Sequence, residues 1–265
     1  MFNYGTNNMR PGPTPERVLS LVRLVEQESK GYTENDLIKV IRNNNLESGK
    51  GEDIRGIIRV ALELMLLVEK NGIYIVNEKC SYAIRSYENF RRYVSKFASS
   101  QPESLFFKLT ELIIKANALI FDYPSASDIA SYAQNNGILN IKEQEVYGWR
   151  FWFRFLGFGY LSSGGFIPNM KIRIEDAIKT LNKNQYMDCF EFIGFLQKEI
   201  PEIAFINKND GLPMAVSNGL RTLHNLGIIQ LEDIADAKYI VLYNIQGEEF
   251  NKFSGVKILG DNNGE

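Results

Sequence analysis

The stretch WRFWFRFLGFGYLSSGGF, residues 149–166, decides how this chain is organised. Its density of aromatics suits a membrane anchor, a stacking platform for bases, or a core. Val146, Trp149, Phe153 and Leu156 step by three, four and three, which makes them one face of a helix over 141–156. Tyr147, Phe151 and Phe155 step by four and make a second apolar face. A helix apolar on most sides is buried on both or docked on a partner. Gly157 stops it, and FGYLSSGGFIP reads as a hairpin turning at 162–165. Arg150 and Arg154, one turn apart, share the remaining stripe with Glu143.

A membrane anchor and an RNA-recognition motif both fail on the same residues. Two arginines interrupt the apolar run, and the glycines spoil an amphipathic interfacial helix. GFGYL resembles the heart of an RNA-recognition motif. However, Leu156 stands where that motif has a basic residue, Ser163 replaces its last aromatic, and the motif belongs inside a strand.

The helix–glycine–strand pattern recurs on either side. Upstream, a helix over 16–28 carries Val18, Leu21, Leu24 and Val25 on one face. Thr33 caps a second helix over 34–42, with Asp36 as the acid of a capping box. A long helix over 52–70 ends at Asn71-Gly72, and the strand IYIV follows. In the middle, a helix over 104–120 carries Leu105, Leu109, Leu112 and Ile113. Ser125 or Ser127 caps the next helix, which Gly137 stops. Downstream, helices are expected over 186–200 and 213–226, with nothing assigned over 202–211. Gly227 then precedes IIQLED, expected to pair with KYIVLY around 234–237. Gly72, Gly157 and Gly227 thus each end a helix before an apolar strand. Between the first two blocks, Ala83, Tyr87, Phe90, Val94 and Phe97 share one face of a connecting helix whose other side carries Arg85, Arg91, Arg92 and Lys96.

Three helices and a wing is the order of a winged-helix domain. The fold class expected is therefore mainly α with small β-hairpins (α+β), built as tandem winged-helix units. The expected boundaries are a disordered tail over 1–15, units over 16–80, 101–180 and 181–258, a connecting helix over 81–100, and a disordered tail over 259–265.

The 265 residues are 45% hydrophobic and 23% charged, with a net charge of −2, so no global basic field marks a nucleic-acid coat. The start of the chain lacks a charged segment followed by an apolar run, so no signal peptide is expected. No window is long and apolar enough to span a membrane. Cys80 and Cys189 fit free thiols in a reducing, cytoplasmic setting. His224 is the sole histidine, too few for zinc or histidine catalysis. No phosphate loop, nucleophile elbow or zincin helix is present. Neither an enzyme, a cofactor nor a small-molecule substrate is expected.

The third helix of a winged helix commonly reads the major groove, which takes arginine or polar residues on its outward stripe. Arg55 and Arg59, Arg150 and Arg154, and Arg221 and His224 hold such positions, and Arg91 and Arg92 add a basic side to the connecting helix. Phe151, Trp152 and Phe155 are the candidate protein interface. More narrowly, Leu156-Gly157-Phe158-Gly159, Phe166-Ile167-Pro168 and Leu226-Gly227-Ile228-Ile229 resemble DpdG-like accessory proteins, encoded in bacterial clusters for deazapurine DNA modification and anti-phage restriction. The resemblance implies a non-catalytic subunit of a multi-protein, DNA-targeting defence complex. Its partners would be other protein subunits and, further, double-stranded DNA. A stand-alone DNA-binding transcriptional regulator is the alternative, and an enzyme without a recognisable motif a third.

Overall fold

The computed structural model describes residues 9, 11–42, 51–139, 141–162, 165–203, 211–245, 247 and 251–260. In chain order, α1 (Pro15–Glu26), β1 (Tyr32–Thr33), α2 (Glu34–Arg42) and α3 (Glu52–Glu63) lead into a hairpin, β2 (Leu67–Lys70) and β3 (Ile73–Val76). Four helices follow: α4 (Tyr87–Ser99), α5 (Leu105–Ala116), α6 (Ala126–Asn135) and α7 (Glu143–Phe155). A second hairpin, β4 (Gly159–Ser162) and β5 (Gly165–Pro168), precedes α8 (Lys171–Ile178), β6 (Tyr186–Asp188), α9 (Cys189–Glu199) and α10 (Met214–Asn225). Strands β7 (Ile229–Glu232), β8 (Ile240–Val241), β9 (Lys252–Phe253) and β10 (Gly255–Ile258) close the order. The fold is α+β: mainly helical, with small antiparallel sheets.

The chain forms two compact units. One holds Met1–Lys108 and Gln134–Phe155, the other Leu109–Ala133 and Leu156–Glu265. The middle block, 101–180, therefore contributes to both. Each unit contains the element order α-β-α-α-β-β. In the first it is α1-β1-α2-α3-β2-β3, with strand order β1-β3-β2. In the second it is α8-β6-α9-α10-β7-β10, with strand order β6-β10-β7 and β8-β9 inserted before the last strand. In each sheet the last strand lies between the other two.

Several expectations shift by local backbone chemistry. The expected helix over 52–70 ends after Glu63, because Met65 turns left-handed (φ 55). Met65 and Leu66 donate back to Leu62 and Ala61, each at 2.9 Å, closing a Schellman turn. Gly227 (φ 68) and Ile228 repeat those bonds to His224 and Leu223, at 2.9 and 3.0 Å. Met65 is thus the counterpart of Gly227, while Asn71 (φ 53) and Gly72 (φ 77) form the two-residue turn of the β2–β3 hairpin. The expected helix over 104–120 stops at Ala116, since Asn117 is left-handed (φ 51). The Asn117 Oδ1 accepts the Met214 N–H at 2.7 Å, satisfying an orphan donor at the start of α10.

The expected helix over 186–200 begins as β6. Asp188 then caps α9 in a capping box with Glu191. IIQLED does not pair with KYIVLY. Instead β7 pairs with β10, and β8 with β9. Strand β10 is the central one, with Gly255, Val256 and Ile258 buried. A Cβ on Gly255 would fall 2.1 Å from the Tyr186 hydroxyl, so glycine admits that ring. Helix α8, a first helix of its unit, lies inside the block expected to end at 180.

Part of the expected N-terminal tail is ordered: Met9 is fully buried, and Thr14 caps α1. At the other end Leu259 and Gly260 both donate to the Ile228 carbonyl. Residues 1–8, 204–210 and 261–265, and the hairpin tip at 163–164, lie outside the described residues.

Glycine at these turns is not equally demanding. A Cβ on Gly157 (φ 82) would fall 2.8 Å from the Arg173 amide nitrogen and the Ile172 Cβ, whereas Gly72 has open space around it. Gly157→Ala is expected to cost about 3 kcal/mol, and Gly72→Ala about 1 kcal/mol. Met65→Gly should stabilise by about 0.5–1 kcal/mol, since the side chain is 53% exposed and its backbone strained. Urea unfolding of the three variants measures the order.

Candidate nucleic-acid interface

Helix α3 offers Arg55 and Arg59, and acids surround them. The Arg55 Nε sits 2.6 Å from the Glu34 carboxylate, and Arg42 on α2 sits 2.6 Å from Asp53. With Glu52 and Glu63 also on α3, its outward side carries more acids than arginines. Arg59 is exposed; Arg55 is clamped across the α2–α3 corner.

Helix α10 cannot read a groove from its position. Met214–Ser217, Gly219–Arg221 and Leu223 are all buried. Arg221 is 4% exposed and donates to the Tyr243 carbonyl at 2.9 Å, so it serves the interior of its unit. Asn218 donates to the Pro168 carbonyl, and Asn169 donates to Thr222, so β5 and the residue after it cover the polar side of the helix. His224 accepts the Leu231 N–H at its Nδ1, 3.1 Å away, which places the ring proton on Nε2 in the neutral form. These two residues belong to structure rather than to a DNA-facing stripe.

Arg173 and Glu202 form the deeply buried ion pair of the second unit. The Arg173 Nη2 lies 3.1 and 3.2 Å from the two carboxylate oxygens, and the guanidinium stacks 5.5 Å from the Phe158 ring centre. Burial at 7% and 2% closes the pair to substrate. It ties α8 to the turn Pro201–Ile203.

Helix α7 behaves differently. Trp152 is fully buried and donates its Nε1–H to the Pro13 carbonyl at 2.9 Å. Phe155 is 6% exposed and packs on the Phe90 and Tyr87 rings of α4, with centres 5.2 and 4.8 Å away. Two of the three candidate interface aromatics are therefore core, because α4 already occupies the face they line. Phe151 alone remains outward, 43% exposed. At 100° per residue, Glu143, Tyr147, Arg150, Phe151 and Arg154 fall within about 100° of arc. Tyr147 is 42% exposed and donates to Glu143 at 2.9 Å, while the Arg150 guanidinium stands 5.9 Å from its ring centre. Burial draws Arg150 below its usual pKa, and Tyr147 opposes this.

Helix α4 adds to the same surface. Tyr87 donates to Glu16 at 2.8 Å, and its pKa is raised by burial and by that bond. The charges of Arg91 and Arg154 both lower it. Arg92 is paired with Glu88 at 3.1 Å. The stripe of α7 thus brings together Tyr147, Arg150, Phe151 and Arg154. Sequence reasoning counted Tyr87 and Tyr147 as apolar-face residues. Their hydroxyls, each a turn of helix or a helix contact away from a glutamate, were the missed signal.

Among the described residues, no group of three or more His, Cys, Asp or Glu side chains is placed to hold a metal ion. No helix among them is long and apolar enough to cross a membrane. No family model, no curated protein and no solved structure matches the chain.

The two neighbouring aromatics separate core from surface. Trp152→Ala is expected to cost about 3–5 kcal/mol and Phe151→Ala less than about 1 kcal/mol, read by chemical denaturation.

Proposed function

We propose that this chain is a non-catalytic tandem winged-helix protein that works as a subunit of a multi-protein bacterial assembly and contacts nucleic acid through the basic face of α4 and α7. The observation that carries this is the repeated order α-β-α-α-β-β with the last strand central in both three-stranded sheets, which supports the winged-helix reading. Winged helices serve both nucleic-acid and protein partners, so the choice rests on the side chains. Helix α10 is enclosed, and α3 is balanced by acids. On α7, Arg150 and the exposed Arg154 share one stripe with Tyr147, over whose ring the Arg150 guanidinium stands. Exposed Phe121, Phe190 and Tyr239, each about half accessible, suit protein docking in an assembly. The resemblance to DpdG-like accessory proteins supplies the setting: a cytoplasmic complex for DNA targeting or anti-phage defence.

Fluorescence anisotropy against labelled nucleic acid, single- and double-stranded, across a salt series tests this. Log affinity is expected to fall with log salt at a slope of magnitude about 2–3 if three arginines meet phosphates. Arg91→Glu with Arg154→Glu should abolish binding, and Arg221→Gln should leave the salt slope unchanged. Salt-independent association, or none with either form, contradicts the proposal.

A further inference from the structure

The outward stripe of α7 has the wrong chemistry for reading a duplex. Base edges in the major groove are read by side chains that donate or accept hydrogen bonds. Here the centre of the stripe is two rings, Tyr147 and Phe151, and the Tyr147 hydroxyl is already engaged by Glu143. In a duplex the faces of the bases are stacked on each other and closed to such rings. In a single strand they are open, and aromatic side chains flanked by cations are how such strands are held.

The spacing also fits. Tyr147 and Phe151 are one turn apart, roughly 6 Å along the helix axis, so successive bases of an extended strand can each meet a ring. The Tyr147 ring is held in place before any ligand arrives. Glu143 fixes the Tyr147 hydroxyl, Arg150 stands over the Tyr147 ring, and Trp152 and Phe155 anchor the adjoining side of the helix. Arg150 and Arg154 lie beside the rings on the same arc of α7. Positive charge beside exposed rings complements the phosphates beside the bases of a single strand.

We infer that the α7 face binds single-stranded nucleic acid, stacking unpaired bases on Tyr147 and Phe151 while Arg150 and Arg154 hold the phosphates. This rests on the nucleic-acid contact proposed above and narrows it to unpaired bases.

The full chain is titrated with a labelled oligothymidine strand of about 20 nucleotides, with a duplex of the same length, and with poly-glutamate as a base-free polyanion. The strand is expected to bind at least about ten-fold more tightly than the duplex. Tyr147→Ala with Phe151→Ala should weaken the strand by about ten-fold or more without changing the salt slope, since stacking carries no charge. Tyr147→Phe with Phe151→Tyr keeps both rings and should retain binding, which separates stacking from loss of fold. Duplex binding as tight as strand binding, unaffected by removal of the rings, overturns this inference and leaves the nucleic-acid contact standing. Failure to bind strand and duplex alike overturns both. Poly-glutamate binding as tight as the strand marks an acidic protein partner and overturns this inference.

Discussion

The packing of Phe155 and Trp152 onto Phe90 governs what the rest of α7 can do. A helix with aromatics on most of its sides has several ways to turn. Burying Trp152 against the Pro13 carbonyl and Phe155 between Phe90 and Tyr87 selects one of them. Such aromatic contacts favour tilted and edge-on geometries and contribute about 0.5–1.5 kcal/mol per pair beyond their buried area. Once they are made, Tyr147, Arg150, Phe151 and Arg154 have only the outward side. The stripe is therefore a consequence of core packing, and its chemistry is what α4 and the Pro13 segment leave over.

The two units share a grammar at the end of their third helices. A left-handed residue follows the helix and returns two backbone bonds to it, and an apolar strand starts at once. In α10 this is Gly227, whereas in α3 it is Met65, at the cost of backbone strain. What differs is the surroundings. Buried neighbours enclose α10, so its Arg221 becomes an internal donor to Tyr243. The same topology thus yields a scaffold helix in one unit, while α3 in the other keeps an acid-balanced outer side.

Legibility in the sequence followed the range of the interaction. Helical faces, caps at Thr33 and Ser125, and the β4–β5 hairpin rest on residues a few positions apart, and these were readable. The end of α3 was not, because methionine at a left-handed position carries no signal that glycine would. The pairing of β7 with β10 was hidden by the inserted β8–β9 ladder, which offered a nearer apolar partner. Tyr147 and Tyr87 looked like two more apolar residues, since their glutamate partners on α7 and α1 matter only once the helices are placed. His224 and Arg154 each stand three residues before the glycine that follows their helix, yet one is half-buried and one exposed. No periodicity distinguishes them, because the difference comes from which neighbouring segments cover each helix.

The most direct measurement is photo-crosslinking of a halogenated-uracil single strand to the intact protein, followed by tryptic mapping. Cleavage after Lys142, Arg150 and Arg154 separates the peptide 143–150, bearing Tyr147, from the peptide 151–154, bearing Phe151. Crosslinks are predicted on both, at those two rings. Crosslinks confined to α10 or to the β2–β3 hairpin, with these two peptides unmodified, would contradict the assignment of the α7 face.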